Sequence, residues 1–264
     1  MKSIALTVLL MTLKNKLQNN ELTLGSWITI AHPSVVDIMS SAGFEWLVID
    51  LEHTSIDLTM AHNLIATIQA NGMKALVRVS KNEEVIIKRV LDMGADGLVV
   101  PMIKSKEEAL EAIDYAKYPP VGKRGVGLFR AQKYGLGFDE YKEWVNNDLV
   151  IIAQIEHIQA VDNIEEIIQT EGIDGVIIGP YDLSSSLGVP GEYHRKDVKD
   201  AIKKVLDVCG NHNFPSGFHV IESDPTQLQS RIDDGCTFLA YSLDFFFLGD
   251  SARSGMKIIK KGLE

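Results

Sequence analysis

Short apolar runs alternate with longer amphipathic stretches eight times along the chain. A run too short for a helix and bounded by Gly or Pro reads as a buried strand. The amphipathic stretch after it, closing on Gly, reads as a helix. The expected strands are Ser26–Ile30, Trp46–Asp50, Lys74–Val79, Gly97–Pro101, Leu149–Ile155, Asp174–Ile178, Pro215–Val220 and Thr237–Ser242. Helices are expected over Pro33–Ser41, Leu58–Ala70, Glu83–Met93, Lys106–Ala116, Phe138–Asn146, Val161–Gln169, Val198–Asn211 and Pro225–Asp234, with a last one over Phe245–Leu263. A right-handed series of eight β/α units closes most naturally into a (β/α)8 TIM barrel. An open doubly wound sheet is the alternative. It would carry a Gly-rich phosphate turn after the first strand, and Ala31-His-Pro-Ser34 stands there instead.

A single barrel takes about 250 residues. One domain over residues 11–264 therefore accounts for nearly the whole 264-residue chain, with residues 1–10 as an N-terminal extension. The apolar Ile4–Met11 resembles a brief signal peptide, but no small-x-small cleavage site follows it. It reads as an extra piece on a cytoplasmic protein. Residues 12–22 read as a short amphipathic helix with Leu13 and Leu17 on one face. The stretch 118–137 breaks the rhythm. It is rich in Gly and Pro, holds Arg124 and Arg130, and reads as a lid or site wall.

The net charge of −10 argues against a nucleic-acid or anionic-membrane partner, which would want a basic face. No run reaches the ~18 apolar residues of a membrane span. Cys209 and Cys236 lie beside apolar residues in no metal-like spacing, and read as small buried hydrophobes in a reducing compartment. Zinc spacings, a Gly-x-Ser-x-Gly elbow and a phosphate loop are all missing from the sequence.

In a barrel the carboxyl ends of the strands share one face, and that face carries the chemistry. The expected strands deliver there Trp27 and His32, Asp50 with His53, Arg78, Gln154 with Glu156 and His157, Tyr181 with Asp182 and Ser184, His219, and Ser242 with Asp244. Glu156 and Asp182 end adjacent strands. Hard divalent ions take carboxylate and water oxygens, often with only one or two protein carboxylates. The pair therefore reads as a site for Mg2+, Mn2+ or Co2+; the plainer reading makes each acid a helix cap or a lysine partner. Asp50 and His53, one turn apart, read as a carboxylate fixing the tautomer of a general base. The plainer reading has Asp50 or Glu52 capping the helix at Leu58. Arg78, between Val77 and Val79, is a guanidinium too costly to bury without an anion. That anion is either a substrate oxygen or Asp50 and Glu52.

Six stretches together carry a family resemblance: Trp46-Leu-Val-Ile-Asp-Leu-Glu-His53, Val77-Arg-Val79, Val100-Pro-Met102, Lys123-Arg-Gly-Val-Gly127 with Arg130-Ala131, Gln154-Ile-Glu156 and Gly179-Pro-Tyr-Asp-Leu-Ser184. From about Leu13 to the last helix the chain resembles the HpcH/HpaI family of metal-dependent, class II pyruvate aldolases, which includes 2-dehydro-3-deoxyglucarate and 4-hydroxy-2-oxoheptanedioate aldolases. The resemblance implies a barrel of the phosphoenolpyruvate/pyruvate superfamily and a homo-hexamer with exchanged C-terminal helices. It implies Glu156 and Asp182 as metal ligands, Arg78 as the pyruvate-binding arginine and Asp50 with His53 as the acid/base pair. Gln154 lines the pocket, with Trp27 and Ser184 as further substrate contacts. The chain departs from the family pattern at His157, at Tyr181 and in Ala240-Tyr-Ser-Leu-Asp244.

The implied activity is reversible cleavage of a 2-oxo-4-hydroxy acid to pyruvate and an aldehyde. Two alternatives stand beside it. One is another lyase of the superfamily, acting on a CoA thioester or a C–P bond. The other is a non-catalytic ligand-binding barrel.

Overall fold

A computed structural model describes residues 11–262. The expected extension over residues 1–10 lies outside the described residues. The elements run α1 (Leu13–Gln18), β1 (Thr23–Ile28), α2 (Pro33–Ser40), β2 (Trp46–Asp50), α3 (Leu58–Ala70), β3 (Lys74–Arg78), α4 (Glu84–Asp92), β4 (Gly97–Val100), α5 (Lys106–Ala116), α6 (Phe138–Asn147) and β5 (Val150–Ile155). Then come α7 (Ile158–Asp162), α8 (Ile164–Ile168), β6 (Gly175–Ile178), α9 (Pro180–Ser186), α10 (Lys196–Asn211), β7 (Ser216–Val220), α11 (Pro225–Asp233), β8 (Phe238–Leu243) and α12 (Asp244–Lys261). All eight strands pair in parallel and in chain order, and β8 closes on β1, so the sheet is a barrel.

The alternation of side chains along each strand splits the core in two. Outward residues meet the helices in one large apolar cluster. Inward residues, among them Trp46, Val48, Leu76, Val99, Ile152, Ile177 and Phe238, fill the barrel. Trp46 and Phe238 stack at 4.2 Å near its amino end. Gly25 leaves room for this layer, since a Cβ there would lie 2.1 Å from the Trp46 ring. Leu13 and Leu17 of α1 join the same inner cluster, so α1 plugs the barrel floor. Lys14 holds the plug in place through an ion pair with Asp174 at 3.0 Å.

Four expectations are corrected. The first strand begins and ends earlier than Ser26–Ile30. The N–H groups of Thr29 and Ile30 leave the ladder for the Asp244 carboxylate, both at 2.8 Å. The first helix stops at Gln18 rather than residue 22, because Asn20 takes a left-handed φ of +55°. The helix after β5 is two short ones broken at Asn163, whose amide donates to the Lys104 carbonyl. The stretch 118–137 is no lid over its own barrel mouth. It joins α5 to α6, on the return path toward the strands' amino ends, and lies along α3 and α4. Arg130 donates to the Met93 carbonyl at 3.0 Å and Phe129 sits 5.3 Å from His62. Arg124 is buried, paired with Asp92 at 2.6 Å and stacked on Tyr118. It is a structural ion pair.

Two apolar surfaces remain open. Val126, Leu128, Tyr134 and Leu136 are exposed on the stretch before α6. From Ser251 to Gly262 every residue of the α12 arm is exposed, including Met256, Ile258 and Ile259. No described helix is long and apolar enough to cross a membrane.

Candidate active site

Asp50 and Arg78 are opposite each other in the β2–β3 register, the last residues of both strands. Both point inward and meet side by side. Arg78 Nε donates to Asp50 Oδ1 at 2.9 Å and Nη2 to Oδ2 at 2.8 Å. This two-pronged pair is the strong geometry for guanidinium and carboxylate. Burial works against both charges. The pair overcomes it, holding Asp50 below the usual carboxylate range and Arg78 above its own ordinary value. Beneath the guanidinium lies the Trp27 ring, 4.6 Å away, and Trp27 in turn packs 4.9 Å from His219. His219 is half-buried, with its Nε2 atom enclosed. Burial first and the Arg78 charge second push its imidazole down to about 3, so it stays neutral.

The Asp50 carboxylate does not hold the His53 imidazole, contrary to expectation. Its hydrogen bonds within this turn go to the backbone N–H groups of Glu52 and His53. The His53 side chain is 63% exposed at the rim, with Nε2 3.8 Å from Glu52. Neither Asp50 nor Glu52 caps α3; Asp57 does, accepting from the Met60 N–H at 2.8 Å. Glu52, expected either as a cap or as a partner of Arg78, is the partner: its Oε2 lies 3.3 Å from Arg78 Nη1.

Across the mouth, Glu156 follows β5. Its Oε1 accepts from the Met102 N–H at 2.7 Å and its Oε2 from Gln154 Nε2 at 2.5 Å. Met102 reaches it from a left-handed φ of +55° just past β4. Gly179, just past β6, lies so close that a Cβ would come within 3.1 Å of both Gln154 Nε2 and Glu156 Oε2. Pro180 then starts α9, and Asp182 stands in its first turn. Burial pushes Glu156 up to about 7, and the charges of Glu52 and Asp182 add to the rise. Burial raises Glu52 as well, with Asp182 again contributing. Four carboxylates, Asp50 among them, thus crowd one mouth with one guanidinium.

That donor set fits a hard divalent cation. Glu156 and Asp182 supply two carboxylates from neighbouring elements, and the buried Oε1 of Gln154 has no partner of its own. Among the described residues no three His, Cys, Asp or Glu side chains converge as a closed cage. Mg2+ and its relatives are commonly held by one or two carboxylates with water and substrate completing the shell.

Two expected substrate contacts do not face the mouth. Trp27 is enclosed beneath Arg78 and acts as its support. Ser184 is fully buried. Its hydroxyl donates to the Tyr181 carbonyl at 2.6 Å and accepts from the Gly191 N–H at 2.9 Å, so it ties α9 to the loop after it. Asp244 is spent on closing the barrel between β8 and β1. His32 and His157 cap α2 and α7, each accepting a backbone N–H on Nδ1 at 3.1 Å.

Comparison with known proteins places this arrangement. The chain is 32% identical to a hydroxypyruvate/pyruvate aldolase of Roseobacter denitrificans, over 92% of this chain and 94% of that one. It is 35% identical to a 5-keto-4-deoxy-D-glucarate aldolase of Escherichia coli, over 88% and 90%. A crystal structure of an HpcH/HpaI aldolase/citrate lyase family protein from Burkholderia cenocepacia superposes with a TM-score of 0.89 at 29% identity, covering 94% and 98%. The family's sequence profile matches residues 23–249, from the first strand well into the last helix. The chain belongs to the HpcH/HpaI aldolase/citrate lyase family.

Proposed function

We propose that the chain is a metal-dependent pyruvate aldolase that reversibly cleaves a 2-oxo-4-hydroxy acid to pyruvate and an aldehyde. The observation that carries this is the buried, pre-aimed Arg78 facing the Glu156 and Asp182 carboxylates across one barrel mouth. The names of the two aldolase relatives support it.

Held by Glu156 and Asp182, a divalent cation would supply Lewis acidity toward the 2-oxo oxygen. The chain's own groups do the rest. His53 takes the proton from the C4 hydroxyl. The C3–C4 bond breaks, the C4 oxygen becomes the aldehyde carbonyl, and the bonding pair passes to C3 and the 2-oxo oxygen as the pyruvate enolate. Arg78 places a fixed positive charge beside that oxygen, where negative charge develops. Asp50 acts through Arg78: its two hydrogen bonds set the guanidinium plane, and Trp27 supports it from below. Gln154 holds Glu156. Protonation at C3 then releases pyruvate. His53, at the rim, exchanges its proton with solvent.

The direct test follows the C3 protons of pyruvate in D2O. With Mg2+, Mn2+ or Co2+ present and no aldehyde, they should exchange at a rate set by the protein concentration. Absence of exchange with any of the three ions would refute the reading. Release of a CoA product in place of pyruvate would point to another lyase of the superfamily.

The same proposal includes a homo-oligomer, a hexamer with exchanged C-terminal helices, in the cytoplasm. The exposed α12 arm with Met256, Ile258 and Ile259 supports the exchange, since a lone protomer leaves that apolar face in water. The free thiols of Cys209 and Cys236 suit a reducing compartment. A chain ending at Asp250 should elute from size exclusion as a smaller species than the full chain. Identical elution of the two would remove α12 from the assembly.

A further inference from the structure

We propose that Tyr181 determines which aldehyde this site accepts, and that it selects an uncharged aldehyde, polyhydroxylated or aryl, laid against its ring. The assignment rests on the aldolase reading above.

Tyr181 immediately precedes Asp182 at the start of α9, and it is 46% exposed. An exposed side chain on a short helix ordinarily swings freely; this one is held. Its ring packs 5.4 Å from that of Tyr193. Tyr193 packs in turn 4.1 Å from His194, and its hydroxyl donates to the Glu222 carboxylate just beyond β7. Gly191, with φ +80°, brings the backbone so near that a Cβ would touch the Tyr181 ring at 3.8 Å. The Gly191 N–H is fixed to Ser184 in α9. Tyr181 and Tyr193 therefore make a backed aromatic wall beside a carboxylate of the reacting centre. Such rings offer large apolar contact at little cost in side-chain freedom.

Charge narrows the substrate class. The charged and titratable groups around this wall are Asp182, Glu192, Glu222, His194, Arg195 and Arg231. Both arginines are committed: Arg195 to Asp197 and Glu192, and Arg231 to Asp234 while lying over Phe218. Lys104, beyond β4, sits near Glu108, and Arg78 is shared by Asp50 and Glu52. A carboxylate-bearing aldehyde laid on the wall would meet acids whose neighbouring arginines are already paired. A neutral one would meet a ring face and oxygen acceptors.

The test measures aldol addition of pyruvate to D-glyceraldehyde and to succinic semialdehyde, beside pyruvate C3 exchange, for the full chain with Mn2+. The wild type should favour glyceraldehyde over succinic semialdehyde in kcat/KM by about tenfold or more, on the scale of a contact with an aromatic face. Tyr181→Ala should lose about tenfold with glyceraldehyde, and Tyr181→Phe, which keeps the ring, should stay within about twofold. C3 exchange should be the same in all three. A wild-type preference for succinic semialdehyde, or unchanged glyceraldehyde kinetics in Tyr181→Ala, would overturn the assignment. So would parallel loss of exchange and addition, which would place Tyr181 at the pyruvate half. No exchange in the wild type would overturn the aldolase reading itself, and this assignment with it.

Discussion

Arg78→Ala should lower kcat/KM by at least about 10²–10³, the scale seen when one pre-aimed charge is removed from an active site. Pyruvate C3 exchange should fall in parallel, because the lost interaction acts on the enolate and not on the aldehyde. The variant should also be less stable. Its Asp50 would keep a buried carboxylate with no counter-charge, and breaking a buried pair from one side costs about 3–5 kcal/mol. The two effects separate by titrating stability with denaturant before the kinetics are read. Arg78→Lys separates them further. It keeps a positive charge, yet a lysine cannot span both Asp50 oxygens as the guanidinium does. It should recover much of the stability and little of the rate. Near-wild-type turnover in folded Arg78→Ala would remove Arg78 from the reaction.

That pair also marks where the sequence stopped being readable. The eight strands and their helices follow from local patterns, and β2, α3 and α5 fall where the apolar period and its Gly stops put them. The strand ends that carry acids could be named for the same reason. Partnership could be named only as one alternative among others. His53 is the near neighbour of Asp50 in sequence, but a turn pinned by Asp50 through two backbone N–H groups leaves its imidazole outside. Arg78 is 28 residues away and meets Asp50 only through the parallel register of β2 and β3. Ser184 failed as a substrate contact for a related reason. A hydroxyl near a strand end reads the same in sequence whether it faces the mouth or ties down the loop at Gly191. The stretch 118–137 was misread because length and Gly content mark a long connection without saying which end of the barrel it serves.

Dialysis against a chelator should abolish cleavage, and Mg2+, Mn2+ or Co2+ should restore it; undiminished activity would sink the metal requirement. Glu156 makes the loss visible without any assay of turnover. Its folded pKa, about 7, lies above the ordinary 4.5 of an unfolded glutamate. The chelated, folded chain therefore holds the Glu156 proton more tightly than the unfolded chain does. This contribution is fully present below about pH 4.5 and is lost as the pH rises through about 7, a fall of roughly 3 kcal/mol. A bound cation reverses the sign, because it needs the carboxylate ionised and competes with the proton. The rise in Tm on adding Mn2+ should thus be small near pH 5 and grow steadily to pH 8. Groups remote from the ion set the baseline of each curve, and their effect cancels in the difference. Glu156→Gln should raise the stability of the chelated protein at pH 8 and erase the pH-dependent response to Mn2+. An equal Mn2+ response in wild type and variant would show that the ion binds elsewhere.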